Sequence, residues 1–133
     1  MAVTTSFPKP RKILTKIVEI ARTDSSTAKC VLPKDSVIVE VTVNQNVDAT
    51  TDTGSFVLGW SGSTSAILAA FTMATTKVGQ VHPGVSAGAS IGTKLDSDKM
   101  VLSTYTVGSS TAGGTGFVAI KYFVAGPGET LGS

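Results

Sequence analysis

The sequence predicts an all-β protein built as a single antiparallel β-sandwich or barrel, with at most one short helix. Short segments with alternating apolar residues are separated by runs of Gly, Ser, Thr and Asn, which is typical of such folds. Charged residues make up only 15% of the chain, against a usual ~25%. The length of 133 residues fits one domain with its own core.

The first 22 residues divide into an extended arm and a first strand. Residues 1–11 contain Pro8 and Pro10 and show no periodicity, so we expect an extended arm. Residues 12–22, "KILTKIVEIAR", carry isoleucines at a spacing that also suits a helical face. Their β-branched content favours a strand. The run 23–27 is then a turn.

The segment 35–44, "DSVIVEVTVN", gives the clearest strand signal in the chain. Alternation predicts one face with Val37, Val39, Val41 and Val43, and an opposite face with polar residues. The segment "CVLP" at 30–33 leads into this strand. A polar loop is expected over 44–54.

The middle of the chain mixes strand, loop and helix signals. Residues 55–60, "SFVLGW", predict a short strand, and 62–65 a loop. The Ala- and Leu-rich segment 66–75 is the best helix candidate, although it could instead be a single turn leading into a strand. Residues 79–93 hold four glycines and Pro83 and predict a long loop with one edge strand.

Two strands are predicted at 99–107 and 116–124, joined by the glycine-rich run 108–115. In the second strand, Val118, Ile120, Tyr122 and Val124 share one face. The stretch "VGSSTAGGTGF" at 107–117 superficially resembles a phosphate-binding loop. It lacks the required lysine, and a strand rather than a helix follows it, so a hairpin connection is the better interpretation.

Candidate catalytic and metal-binding residues are sparse, so we predict a protein that is not an enzyme and has no cofactor. The segment "GWSGS" at 59–63 has Ser63 where a nucleophile elbow needs glycine. His82 is the only histidine and Cys30 the only cysteine, which excludes an intrachain disulfide and a zinc site made of these two residues alone. The loop acids Asp48 and Asp52, with Asn46, and the pair Asp96 and Asp98 suit turns better than a calcium site.

The charge is unevenly distributed along the chain. Residues 1–34 carry seven basic and two acidic groups, whereas 35–133 carry four basic and seven acidic groups. A basic arm on a mildly acidic body suggests contact with something negative, or a solvated tail. Few aromatic residues accompany the basic cluster, so we expect no direct nucleic-acid binding. The start of the chain does not read as a secretory signal, and no apolar run is long enough for a membrane span.

The order of these features resembles a known class of virion protein. "LPKDSVIVEVTV" is followed by a polar loop, "FVLGW", an Ala-rich segment, and finally "STAGGTGFVAIKYF". This order, over about residues 28–124, resembles small β-sandwich virion proteins of tailed bacteriophages. It is most similar to jelly-roll-like head decoration, or cement, proteins.

The resemblance implies a fold, a role and a set of partners. The expected protein is a jelly-roll-like sandwich over 12–125, with an arm at 1–11 and a tail at 126–133. It would bind the major capsid protein on the outer capsid surface of a virion made in the host cytoplasm, as a homotrimer, and stabilise the shell. The residues expected to contact the capsid are Phe7, Pro8, Lys9, Arg11 and Lys12. The alternative is a carbohydrate-binding or fibre- or tail-associated module that uses Trp60 and the loops 44–54 and 79–93.

Overall fold

The structure is a computed structural model that describes most of the predicted sandwich. The described residues are 12–47, 54–72, 79–81, 90–106 and 115–125. The proposed arm at 1–11, the tail at 126–133 and the glycine-rich run 107–114 lie outside them. The sequence-based predictions for those segments therefore stay predictions.

Eight strands make up the secondary structure of the described residues, which contain no helix. They are β1 (Leu14–Ile20), β2 (Thr27–Leu32), β3 (Ser36–Val47), β4 (Ser55–Trp60), β5 (Ser63–Thr72), β6 (Gly79–Val81), β7 (Lys99–Thr106) and β8 (Thr115–Val124). The all-β prediction is confirmed, and the segment 12–22 forms a strand over Leu14–Ile20 rather than a helix.

The strands form two four-stranded antiparallel sheets with jelly-roll connectivity. One sheet has the order β1-β8-β3-β6 and the other β2-β7-β4-β5. The chain can be pictured as one long hairpin whose tip is the β4–β5 turn, because β1 pairs with β8, β2 with β7, β3 with β6 and β4 with β5. Rolling that hairpin adds the pairs β3–β8 and β4–β7 and closes both sheets. Eight strands in two such sheets are a jelly roll.

The core lies between the two sheets and is built by alternation along each strand. In β8, Val118, Ile120 and Tyr122 are buried as the sequence predicts, whereas Val124 at the strand end is exposed. Facing strands contribute Phe56 and Leu58, and the Phe56 ring lies 5.7 Å from the ring of Phe71. The other large side chains that are fully buried are Val18, Ile20, Leu32, Ile38, Val43, Ile67 and Leu68.

The predicted helix at 66–75 is wrong where the structure describes it. Residues 66–72 belong to β5, in which Leu68 pairs with Leu58 and Phe71 with Phe56. Helix propensity differs by only about 0.7 kcal/mol among ordinary residues, so burial of Leu68 against the facing sheet outweighs it. Residues 73–75 lie outside the described part of the chain.

The prediction of a loop at 62–65 is also wrong, because β5 already begins at Ser63. Ser63 pairs with Trp60, which leaves a two-residue turn of Ser61 and Gly62. Gly62 has φ of +87°, a backbone conformation that glycine adopts without a steric penalty. The turn can therefore be tighter than the serine- and threonine-rich sequence suggests.

A bulge in β3 changes the predicted face of one valine. Ile38 pairs with Tyr122 and Glu40 with Lys121, so Val39 is an extra residue in the strand. Val39 is 44% exposed, whereas Ile38 and Val41 on either side are buried. The prediction that Val39 shares the core face is therefore wrong, since an inserted residue reverses the alternation.

The predicted loop boundaries shift by a few residues in this region. β3 continues to Val47, past the expected loop start at residue 44. The edge strand predicted within 79–93 is confirmed as β6, which pairs with β3 over Val43, Asn44 and Gln45.

Candidate interaction surface

Lys12 is the one predicted capsid-contact residue that the structure describes. It is exposed and stands two residues before β1. Phe7, Pro8, Lys9 and Arg11 lie outside the described residues. The predicted contact residues directly precede this part of the chain in the sequence, so β1 is the described strand that follows them.

β1 is an edge strand that exposes large apolar side chains. It pairs with β8 on one side, and no described strand pairs with its other side. Val18 and Ile20 point into the core and are buried. Ile13 and Ile17, four residues apart on the other face of the extended chain, are 49% and 62% exposed.

The exposed isoleucines continue onto β8. Ile17 pairs with Ala119, and Phe117, the diagonal neighbour of Ile17, is 38% exposed. Lys121 stands opposite Thr15 and forms an ion pair of 3.6 Å with Glu40 of β3. The four residues Ile13, Ile17, Phe117 and Ala119 form what we call the β1–β8 patch. It is apolar, with a charge-balanced ion pair beside it.

The sequence analysis missed the β1–β8 patch although a signal for it was present. A strand over 12–22 necessarily divides its three isoleucines and Val18 between two faces. The even-numbered positions hold Leu14, Val18 and Ile20 and face the core, which leaves Ile17 on the solvent face with Thr15 and Glu19. Following the alternation through the strand would have identified Ile17 as exposed.

Trp60 lines a second surface feature, at the end of β4. A concavity of about 380 Å³ is lined by Trp60, Ser61, Asp98, Lys99, Met100 and Leu102. Trp60 is half-buried and packs partly against the core. The Nζ atom of Lys99 lies 5.5 Å from the Trp60 ring centroid, within range of a cation–π interaction.

The charged groups of the Trp60 concavity already have partners within the protein. Lys99 lies 3.4 Å from Asp96, and its hydrogen bond to that carboxylate lowers the pKa of Asp96 below its usual value. Asp98 accepts a hydrogen bond of 2.7 Å from the backbone N–H of Lys34. Asp98 thus holds a turn to the neighbouring segment of the chain, as the sequence analysis expected, and the concavity presents mainly an indole and apolar side chains.

Asp24 is the centre of a buried hydrogen-bonded cluster under the β1–β2 loop, which we call the Asp24 cluster. One carboxylate oxygen accepts hydrogen bonds from the Ala21 backbone N–H at 3.0 Å and from the Ser103 hydroxyl at 2.9 Å. The other oxygen lies 2.9 Å from Nζ of Lys29. The Asp24 carbonyl also accepts a hydrogen bond from the Tyr105 backbone N–H. The Asp24 cluster joins the loop to β7 through Ser103. Because Ser103 is fully buried, these bonds stabilise the fold.

Cys30 lies half-buried at the edge of the core. Burial raises the pKa of its thiol, and the nearby Lys16 ammonium offsets part of that rise. The thiol therefore stays protonated at neutral pH, which disfavours a nucleophilic role.

Within the described residues, no three His, Cys, Asp or Glu side chains come close enough together to hold a metal ion. His82, Asp48 and Asp52 lie outside that part of the chain. The structure does describe β8 after the glycine-rich run, so a strand follows it, as predicted.

Among the described residues, no helix is long and apolar enough to cross a membrane.

Comparison with known proteins identifies the fold at full length. No family model and no curated protein sequence matches the chain. Among solved structures, a chain of the cyanophage Pam1 capsid asymmetric unit matches with a TM-score of 0.65 and 17% identity, over 94% of both chains. A chain of the capsid of Ralstonia phage GP4 matches with a TM-score of 0.60 and 18% identity, over 92% of both chains.

These likenesses extend over nearly the whole chain, which therefore has the fold of chains found in two phage capsids. The resemblance to jelly-roll-like phage virion proteins is confirmed at the level of the fold.

Proposed function

We propose that this protein is a phage capsid decoration, or cement, protein that binds the outer surface of the capsid and stabilises it. The observation that carries the proposal is the shared fold, which covers 94% of this chain and 94% of a capsid chain. Because one fold can serve many functions, the proposal also draws on the surface of the molecule. The β1–β8 patch supplies an apolar contact surface next to the basic N-terminal segment.

The proposed mechanism is binding rather than chemistry. A protein that binds the assembled shell but not its separated subunits stabilises the shell by mass action. Association as a homotrimer on the major capsid protein would give each particle several attachment points, which raises its effective concentration at the surface. Residues 1–11, with Lys12, are the proposed docking arm, and synthesis in the host cytoplasm precedes attachment to the virion.

Co-sedimentation with capsids tests this function. Capsids that lack the protein are prepared from a phage whose copy of the gene is deleted, and purified protein is added back. We expect saturable binding and a higher temperature of DNA release. A variant lacking residues 2–11 should fold normally but bind much more weakly. Full binding by that variant would contradict the docking-arm assignment, and absence of binding by the full chain would contradict the proposed function.

Glycan binding is a second candidate, favoured by the concavity at Trp60. A half-buried indole beside Met100 and Leu102 can stack on the apolar face of a sugar ring, and such a module would belong to a fibre or tail. A glycan array tests this candidate. It requires a specific signal from the wild-type protein that is lost in Trp60→Ala and kept in Phe117→Ala, which changes an aromatic residue on the other sheet.

A further inference from the structure

The four edges of the two sheets differ in how well they are protected against pairing. β6 has only three residues, and β2 is interrupted by a register shift between Ala28 and Cys30. β5 has register shifts, and its Ala66 carbonyl accepts a hydrogen bond from Ser90. β1 alone pairs over seven residues with no shift, from Leu14 to Ile20. It is therefore the longest regular edge in the described part of the chain.

A regular edge strand presents a row of backbone groups that can pair with another strand. In an antiparallel pair, every second residue of β1 directs its N–H and C=O away from β8. Proteins usually protect such an edge with bulges, proline or charged side chains. The solvent face of β1 carries the charged Glu19 but also Ile17, which is 62% exposed, with Ile13 just before the strand. Backbone and side chains together make this edge suitable for strand addition.

The charge around β1 indicates which kind of strand would fit. The segment 12–22 contains Lys12, Lys16 and Arg22 against one acid, Glu19. Pairing with a second copy over all seven residues would place Ile17 opposite Ile17, which brings Lys12 of one copy near Arg22 of the other. Like charges facing each other across a strand pair are destabilising. An acidic partner strand would instead be attracted by each of these basic groups.

We infer that the exposed edge of β1 binds an extended, acidic segment of the capsid protein, which adds to the sheet as a further strand. This inference rests on the proposed capsid-binding function and makes it more specific. Backbone hydrogen bonds to β1 provide the pairing, Ile13 and Ile17 pack against alternate apolar side chains of the added strand, and Lys12 and Arg22 select its charge. The docking arm then directly precedes the strand that receives the added one, so the two act together in binding the capsid protein.

Hydrogen exchange on the full chain tests the strand addition directly. Exchange of the backbone amides is followed with and without an excess of capsids prepared from the phage that lacks the gene. Within 14–20, the amides bonded to β8 should exchange slowly with and without capsids. The alternate amides should exchange quickly in the free protein and at least tenfold more slowly in the complex. Contact through side chains alone would not produce this alternating pattern.

Matched variants test the side chains. Ile17→Glu removes apolar surface and opposes an acidic strand, and we expect at least tenfold weaker capsid binding. Val31→Glu is the control, because Val31 is similarly exposed at 43% but lies on β2 in the other sheet. The control should bind like wild type. Both sites are exposed, so both variants should retain the wild-type unfolding midpoint.

The outcomes separate the two proposals. Wild-type binding with no protection of β1, or with Ile17→Glu as tight as Val31→Glu, overturns the inference and leaves the decoration function standing. No capsid binding by the wild type overturns both. Protection of β1 that depends on protein concentration without capsids would assign the edge to a second copy and overturn the acidic partner.

Discussion

Replacing Asp24 with alanine should destabilise the protein more than any other single change to a polar side chain of the β1–β2 loop. The carboxylate is buried and accepts hydrogen bonds from the Ala21 backbone N–H, the Ser103 hydroxyl and the Lys29 ammonium. Alanine leaves all three donors without that acceptor. Ser103 is fully buried and cannot turn to water, whereas Lys29 keeps partial exposure and can be rehydrated.

The expected magnitude follows from these contacts. Each hydrogen bond to a charged group contributes about 1.5–3 kcal/mol, and breaking a buried ion pair costs about 3–5 kcal/mol. Because Lys29 regains water, we expect the lower part of that range, about 3–4 kcal/mol, for Asp24→Ala. Asp24→Asn keeps the shape and one acceptor oxygen but loses the charge, so we expect about 2 kcal/mol. A typical domain has only about 5–15 kcal/mol of stability in total.

Urea unfolding followed by circular dichroism measures the effect, with the m-value as a check that the unfolded state is unchanged. Asp96→Ala is the control, because Asp96 is an exposed acid with a lysine partner and should leave the midpoint unaltered. A decrease of less than about 1 kcal/mol in the free energy of unfolding of Asp24→Ala would show that the Asp24 cluster does not hold the loop to β7.

Three further predictions address other parts of the sandwich. Gly59→Ala should destabilise by about 1–3 kcal/mol in thermal unfolding, because a Cβ there would collide with the Ser63 backbone carbonyl; unchanged stability would contradict the close approach of β4 and β5. Val39→Thr should change the free energy of unfolding in urea by less than about 0.5 kcal/mol. Val41→Thr buries a hydroxyl and should lower that free energy by about 1–3 kcal/mol. Equal effects of the two substitutions would contradict the bulge at Val39. Burial raises the pKa of the Cys30 thiol above its ordinary 9.0. The buried thiol therefore stabilises the fold below pH 9, and this stabilisation is lost as the pH rises through the higher pKa of the folded state. Cys30→Ala should remove this alkaline loss of stability, and a variant with the same pH profile as the wild type would contradict the prediction.

Alternation in the sequence was sufficient to predict most of the fold. β8 shows why: Val118, Ile120 and Tyr122 alternate with less apolar residues over an uninterrupted strand, so sequence and burial agree. β1 was recognised in the same way once its β-branched content outweighed the helical spacing of its isoleucines.

Where the prediction failed, the cause was tertiary. The segment containing Leu68 has helix-forming residues, and only its pairing with β4 makes it a strand. The exposure of Val39 depends on a bulge, and a bulge is defined by the register of the neighbouring strand rather than by local sequence.

The candidate site was predicted less completely than the fold. The basic charge of the N-terminal region was visible in the sequence, and Lys12, the one predicted contact residue that the structure describes, is exposed. That β1 lies at the edge of its sheet could not be deduced from alternation, because strand order depends on long-range pairing. The importance of Ile17 follows only when its face and the position of its strand are both known.

Cryo-electron microscopy of capsids with and without added protein tests the central claim most directly. The difference map should show jelly-roll density on the outer surface of the shell between capsomers, as trimers, with the β1 side of each sandwich turned toward the capsid protein. Added density at the tail, on the inner surface, or nowhere on the particle would contradict the decoration function.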